Sequence, residues 1–418
     1  MNNTEIQQRA INKLNRLKVG ALFMALGTGK TKVALDLMAT KSCKCDYFLW
    51  ICPCSLKNEI QNERAKWRPN LDIEVIGCES IGSSSRIYLE LLERVKAHKC
   101  VFCVVDESLK IKNIKAKRTT RILELSRLCT YKLILNGTPL SKNVLDVYTQ
   151  MQFLSPLIIK ENYRTFMNTY CEYYKRGRLR GRVRKQCNIP HLVSRIRPYI
   201  FDADLDLKTE KKYYNVDYKL EDYEESDYED LKCKLLSEMS DDRGVDFYRL
   251  ITALQQFICT CDSKLKLVNA CIASVEGKVV VFVKYLKSIP EGALKVVGDM
   301  NTSERAQAID KFKNDPNQKV LYITFGCGAF GLNLQFASNM VFADRTWDLA
   351  QLEQAEGRIY RLGQTKETVN YYTISGATGL DNMMQRCIKK KADMLDVIKR
   401  TIADMNTEEQ KKWLKKHL

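Results

Sequence analysis

The chain has no apolar run of membrane-spanning length, so no bilayer-crossing helix is expected. No secretory signal opens it; the first residues, MNNTEIQQRAINKLN, are largely polar. Paired C-x-x-C knuckles with metal-ligand spacing are missing, although there are 16 cysteines. CKC at 43–45 and CPC at 52–54 flank the strand-like DYFLWI, and Cys100 and Cys103 sit inside an apolar run. Buried, reduced thiols are therefore the expectation, in a soluble protein of the cytoplasm or another reducing compartment. No short repeat or low-complexity tract is visible, and 45% apolar residues exclude a disordered chain. Acidic residues are in deficit, 50 Asp and Glu against 68 Lys and Arg, a net charge of +18. That balance favours a polyanionic partner, most simply nucleic acid, whose counterions are released on binding. A basic surface that only aids solubility is the alternative.

A length of 418 residues is enough for two domains. Short apolar runs alternate with helical stretches: VGALFMAL then KTKVALDLM, DYFLWIC then SLKNEIQNERAKW, then VFCVV, then YKLILNGT and VLDVYTQMQFL. This rhythm predicts an α/β fold, a parallel sheet with helices on both faces. It returns near residue 278 with GKVVVFV, GALKVVG, KVLYITF and NMVFAD, so two lobes are expected, 1–200 and 201–418, dividing near Phe201. Residues 157–200 read as a helical insertion carrying the basic run KRGRLRGRVRK (175–185), and 202–260 as an acidic helical segment. KKKADMLDVIKRTIADM near the C-terminus reads as an amphipathic helix.

LGTGKT (26–31) follows one apolar strand and opens a helix. Around Thr28, Gly27 and Gly29 let backbone amides approach phosphate oxygens. Lys30 can reach the β- and γ-phosphates of ATP, and the Thr31 hydroxyl can ligate Mg²⁺. Met24 stands where the full pattern has its first glycine. Downstream, CVFCVVDESLKIKN places two carboxylates at a strand exit. Asp106 suits the magnesium, whose charge offsets the repulsion, and Glu107 suits orienting and activating the attacking water.

Six ordered segments then give the chain a resemblance over nearly its whole length. LGTGKT, PCSLKNEIQNERAKW, DESLKIKN, LNGTPLSKNVLDVYTQMQFLSP, TFGCGAFGLNL and DRTWDLAQLEQAEGRIYRLGQTKETVNYYTI are similar to the motifs of Snf2-group superfamily 2 helicase-like ATPases, in a compact form such as phages and other viruses encode. VVVFVKYL resembles a further motif of the second lobe. The resemblance implies two tandem RecA-like lobes and translocation along DNA, duplex favoured, by a motor that is monomeric in solution. It places Gln7 at the adenine-reading position and Ser55, Lys57 and Lys142 in motifs that track the DNA backbone. Arg358 and Arg361, three apart on an expected helix, share one face and suit arginine fingers, with Gln354 counted beside them. In the basic run, Arg178, Arg180, Arg182 and Arg184 are candidates for phosphate contact, from a hairpin turning at Gly181; a solvated loop is the alternative.

The departures are Leu109 for the histidine of motif II, Tyr360 for that of motif VI, and Asp348-Leu349 for Asn-Pro. Leu109 is expected to be at least half buried against the NGTP turn (136–139). Three rival readings remain at this stage: a strand-separating helicase on forked or single-stranded DNA, a DNA-binding accessory protein with a degenerate ATPase, and a restriction-type motor subunit.

Overall fold

The computed structural model describes residues 3–137, 144–174, 183–205, 207–238, 245–328, 332–347, 349–376 and 378–389. Two compact units divide at residues 206 and 207. Unit 1 contains strands Val19–Met24 (β1), Tyr47–Cys52 (β2), Glu74–Gly77 (β3), Val101–Val105 (β4) and Tyr131–Asn136 (β5). It continues with Cys171–Tyr173 (β6), Val183–Gln186 (β7) and Ile200–Ala203 (β8). Six of these form one parallel sheet in the order β3-β2-β4-β5-β1-β8, and β6 and β7 pair antiparallel. The helices Glu5–Leu14 (α1), Lys30–Ala39 (α2) and Lys57–Trp67 (α3) belong to the same unit.

Unit 2 holds Glu210–Tyr218 (β9), Val279–Val283 (β10), Lys295–Val296 (β11), Val320–Thr324 (β12), Asn339–Phe342 (β13) and Thr368–Gly376 (β14). They make a second parallel sheet, β11-β12-β10-β13-β14-β9. Parallel strands covered on both faces read as continuous apolar runs. VFCVV of β4 and VVVFV of β10 are buried at every position. The alternate residues of β10 serve two cores, Val280 and Phe282 on one face and Val279, Val281 and Val283 on the other. Each such side chain contributes roughly 1.5–3 kcal/mol on burial.

Three expectations need correction. Phe201 lies inside β8, which pairs with β1, so the chain leaves unit 1 six residues later than expected. This matters for the site, because Ala25 N, at the start of the LGTGKT loop, donates to Ala203 O of β8 at 2.8 Å. Residues 210–218 form a strand rather than a helix, and the helices of that stretch are Asp222–Ser237 and Val245–Thr260. The insertion 157–200 contains the β6–β7 pair as well as helices Tyr163–Tyr170 and Ile189–Ile196. Of the expected C-terminal amphipathic helix only Lys389, the last residue of the helix Gly379–Lys389, is described; the rest lies outside the described residues.

Candidate active site

The sheet of unit 1 gathers the candidate residues. β4, β5 and β1 are consecutive neighbours and parallel, so the segments leaving their carboxyl ends lie side by side. From β1 comes the glycine loop, from β4 the Asp106-Glu107 pair, and from β5 the Asn136-Gly137 turn. Gly27 (φ 81°) and Gly29 (φ 84°) both take left-handed backbone, which glycine enters without steric cost. Gly29 caps α2, so Lys30 and Thr31 open that helix and its first amides face outward.

Lys30 Nζ donates to Met24 O at 2.8 Å and to Ala25 O at 3.3 Å. Its ammonium therefore sits over the loop, where a phosphate oxygen can replace a carbonyl with a stronger, charge-assisted partner. Gln7 is buried on α1; its Nε2 donates to Thr28 O at 3.0 Å and its Oε1 accepts from Thr4 N at 3.2 Å. A primary amide has two donors and two acceptor sites, so one of each remains for an adenine edge.

Asp106 is buried, and its Oδ1 accepts from Glu107 N at 2.9 Å. Burial, then the Glu107 carboxylate, push the Asp106 carboxyl up to about 7, and Lys30 pulls against them. A buried carboxylate within electrostatic reach of the Lys30 ammonium fits a hard divalent cation. The same shift makes a prediction for the chain in chelator. With the ordinary value at 3.8, the folded state keeps a proton that the unfolded state has released from there up to about pH 7. This contribution is present in acid and is lost as the pH rises through about 7. Asp106→Asn should therefore raise Tm at roughly pH 8 and change it little near pH 4. A lower Tm than wild type at the alkaline pH would contradict the assignment.

Glu107 has φ 49° and ψ 55°, left-handed backbone in a non-glycine residue. That conformation costs roughly 1–2 kcal/mol and persists where neighbours fix it. It directs the chain into the short turn Ser108–Ile111. Leu109 is mostly buried in that turn. Thr138 and Pro139, against which it was expected to pack, lie outside the described residues.

Ser55 and Lys57 are exposed beyond β2. Glu79 holds their loop, its Oε2 accepting from Cys54 N at 2.9 Å. Gly77 allows the approach, since a Cβ there would meet Cys54 Sγ at 2.1 Å. Arg184 is exposed on β7. Lys142, Arg178, Arg180, Arg182 and Gly181 lie outside the described residues.

In unit 2 the helix Leu349–Glu356 carries Gln354 and stops before Arg358 and Arg361. The expectation of one helical face is thus corrected: both arginines sit in turns after Gly357. Arg358 is buried, and its carbonyl accepts from Leu334 N. Gln364 staples the turn, Nε2 donating to Ala337 O and Ile359 O at 3.0 Å each, while Gly363 takes φ 97°. Tyr360, in place of a histidine, lies under Lys211 Nζ at 4.2 Å from its ring centroid.

Sequence reasoning missed the residues that set this segment. Gln255 is buried; its Nε2 donates to Arg345 O at 3.1 Å, and its Oε1 accepts from Trp347 Nε1 at 2.8 Å and Lys284 Nζ at 2.5 Å. Lys264 Nζ meets Asp344 Oδ1 at 2.8 Å, both buried. Burial works against the Lys264 charge, and Asp344, together with Cys259 and Asp381, more than offsets it. Asp344 Oδ2 also accepts from Lys284 N at 2.7 Å. These bonds fix 344–347, the stretch that leads into the helix before Arg358. A glutamine inside the apolar run LITALQQFIC was the only signal.

The SNF2-related domain family matches residues 54–263, and the Helicase conserved C-terminal domain matches 258–363. The chain belongs to the SNF2-related family. The family match starts at Cys54, so the glycine loop rests on its own geometry. This SNF2-related chain is 24% identical over 412 residues to a Caenorhabditis elegans homolog of SWI/SNF-related matrix-associated actin-dependent regulator of chromatin subfamily A-like protein 1, covering 88% of this chain and 58% of the relative. To TATA-binding protein-associated factor mot1 of Aspergillus fumigatus it is 23% identical, over 94% of this chain and 26% of that one. To the Bos taurus DNA annealing helicase and endonuclease ZRANB3 it is 22% identical, over 88% and 38% respectively. The chain thus spans between about a quarter and three fifths of these relatives' length. They come from animals and a fungus and lend no support to the compact viral type. Among solved structures, the Sulfolobus solfataricus SWI2/SNF2 ATPase core in complex with dsDNA aligns over 99% of this chain and 97% of that one, at 21% identity and a TM-score of 0.44.

Proposed function

We propose that this SNF2-related chain is a DNA-dependent ATPase that translocates along duplex DNA. The observation that carries the reading is the juxtaposition in unit 1: left-handed glycine loop, buried Asp106 with Glu107, and Asn136-Gly137 at the carboxyl ends of three adjoining strands. In this reading the amides of Gly27, Thr28 and Gly29 and the Lys30 ammonium bind the ATP phosphates, and Gln7 reads the adenine. Thr31 and Asp106 hold Mg²⁺, which when bound neutralises phosphate charge. Glu107 orients the attacking water and accepts its proton. Arg358 and Arg361, with Gln354 beside them, neutralise charge on the transferring phosphoryl group, so hydrolysis requires both units. Ser55, Lys57, Lys142 and the arginines of 175–185 meet the DNA backbone, in keeping with the net charge of +18. A degenerate ATPase is disfavoured, because every residue the chemistry requires is present.

The test is ATP hydrolysis measured without nucleic acid and with single-stranded, duplex and forked DNA. Duplex should stimulate at least as strongly as the fork. Stimulation by single strands alone would favour strand separation instead.

A further inference from the structure

Glu107 holds a conformation that its own residue type disfavours, so something next to it must over-determine the turn. The following residue supplies a handle. Ser108 is completely buried, and its hydroxyl donates to Gln150 Oε1 at 2.6 Å. Gln150 is equally buried, on the helix Leu145–Leu154, and its Nε2 donates to Asp146 O at 2.7 Å. That second bond fixes the amide plane, so Gln150 Oε1 is presented to Ser108 in one orientation. The Ser108–Ile111 turn packs against β5 and this helix, and the helix follows the segment that leaves β5. A buried hydroxyl and amide left apart would each keep an unmet polar atom, so the pair resists separation.

We propose that Ser108 and Gln150 are positioning residues for hydrolysis: their buried hydrogen bond holds the left-handed Glu107 turn in register with the helix Leu145–Leu154. The inference rests on the ATPase reading and extends it. Neither side chain touches the reacting atoms. A shift of the helix drags Ser108 and re-aims the Glu107 carboxylate, which gives the helix a route to the water-activating group. The route runs one residue before Leu109, whose side chain can only pack. It uses a polar pair where the histidine of related motifs is absent.

The experiment compares the full chain with Ser108→Ala, Gln150→Leu and the double variant. It reads Tm, and kcat and KM for ATP with and without duplex DNA. Each single variant should lower kcat roughly tenfold or more while KM stays within about twofold, because aim and not nucleotide affinity is lost. The double variant removes donor and acceptor together and should recover Tm, since two apolar groups of similar shape pack without an unmet polar atom. Its kcat should stay low. Recovery of kcat together with Tm would reduce the pair to packing and overturn the proposal. Should the double variant not fold, Ser108→Ala decides, since it removes one oxygen: an unchanged kcat overturns the proposal. A wild-type chain without ATPase activity would remove the reading beneath it; active wild type with equally active variants would remove this inference alone.

Discussion

Arg361→Ala is expected to lower ATP turnover by about 10³–10⁵-fold, the range an arginine finger supplies in phosphoryl transfer. Nucleotide affinity, measured with a non-hydrolysed analogue, should stay within a few-fold. The reason is division of labour. The groups expected to bind ATP are Gln7, the glycine loop and Lys30, all in unit 1, whereas Arg361 belongs to unit 2. Its place is set by a turn and not by a helix: Gly357 follows the last helical residue, Gly363 takes φ 97°, and Gln364 binds Ile359 O and Ala337 O. Arg361→Lys should recover little, because an ammonium lacks the planar fork that pairs with two phosphate oxygens. Turnover of Arg361→Ala within tenfold of wild type would remove the residue from the mechanism and leave unit 1 to account for catalysis alone.

Lys30→Ala and Glu107→Gln should each cost at least about 10²-fold in turnover, by opposite routes. Lys30 lies above its own loop carbonyls, over the loop expected to cradle the phosphates, so its loss should weaken nucleotide binding. Glu107→Gln keeps the side-chain volume and the backbone bond from residue 107 to Asp106 Oδ1. It removes only the capacity to accept a proton, so binding should persist while hydrolysis stops. Equal loss of affinity in both variants would show that Glu107 acts in binding. Near-normal hydrolysis by Glu107→Gln would show that another group activates the water.

Much of this site was legible because its demands are local. Left-handed backbone at positions 27 and 29 calls for glycine, and a strand buried at every residue followed by two acids has few structural uses. The parallel sheets followed from unbroken apolar runs for the same reason. What escaped was set by distant partners. β8 is short and ends in Asp202 and Ala203, yet it pairs with β1 and supports the glycine loop. β9 reads EKKYYNVDY, charged and largely exposed, because it is the edge of its sheet and packs through Tyr213 and Tyr214 stacked on Tyr371 and Tyr372. The i, i+3 spacing of Arg358 and Arg361 suggested a helix that Gly357 cuts short. Gln255 and the Ser108–Gln150 pair join residues separated by tens of positions, and no local pattern encodes such bonds.

The central claim is that hydrolysis moves this SNF2-related chain along intact duplex. The most direct measurement is displacement of a third strand from a DNA triplex, run beside unwinding of a fork of equal length, with Glu107→Gln as control. ATP-dependent release of the third strand, without separation of the fork and without release by Glu107→Gln, is the predicted result. Fork unwinding with an undisturbed triplex would contradict the account.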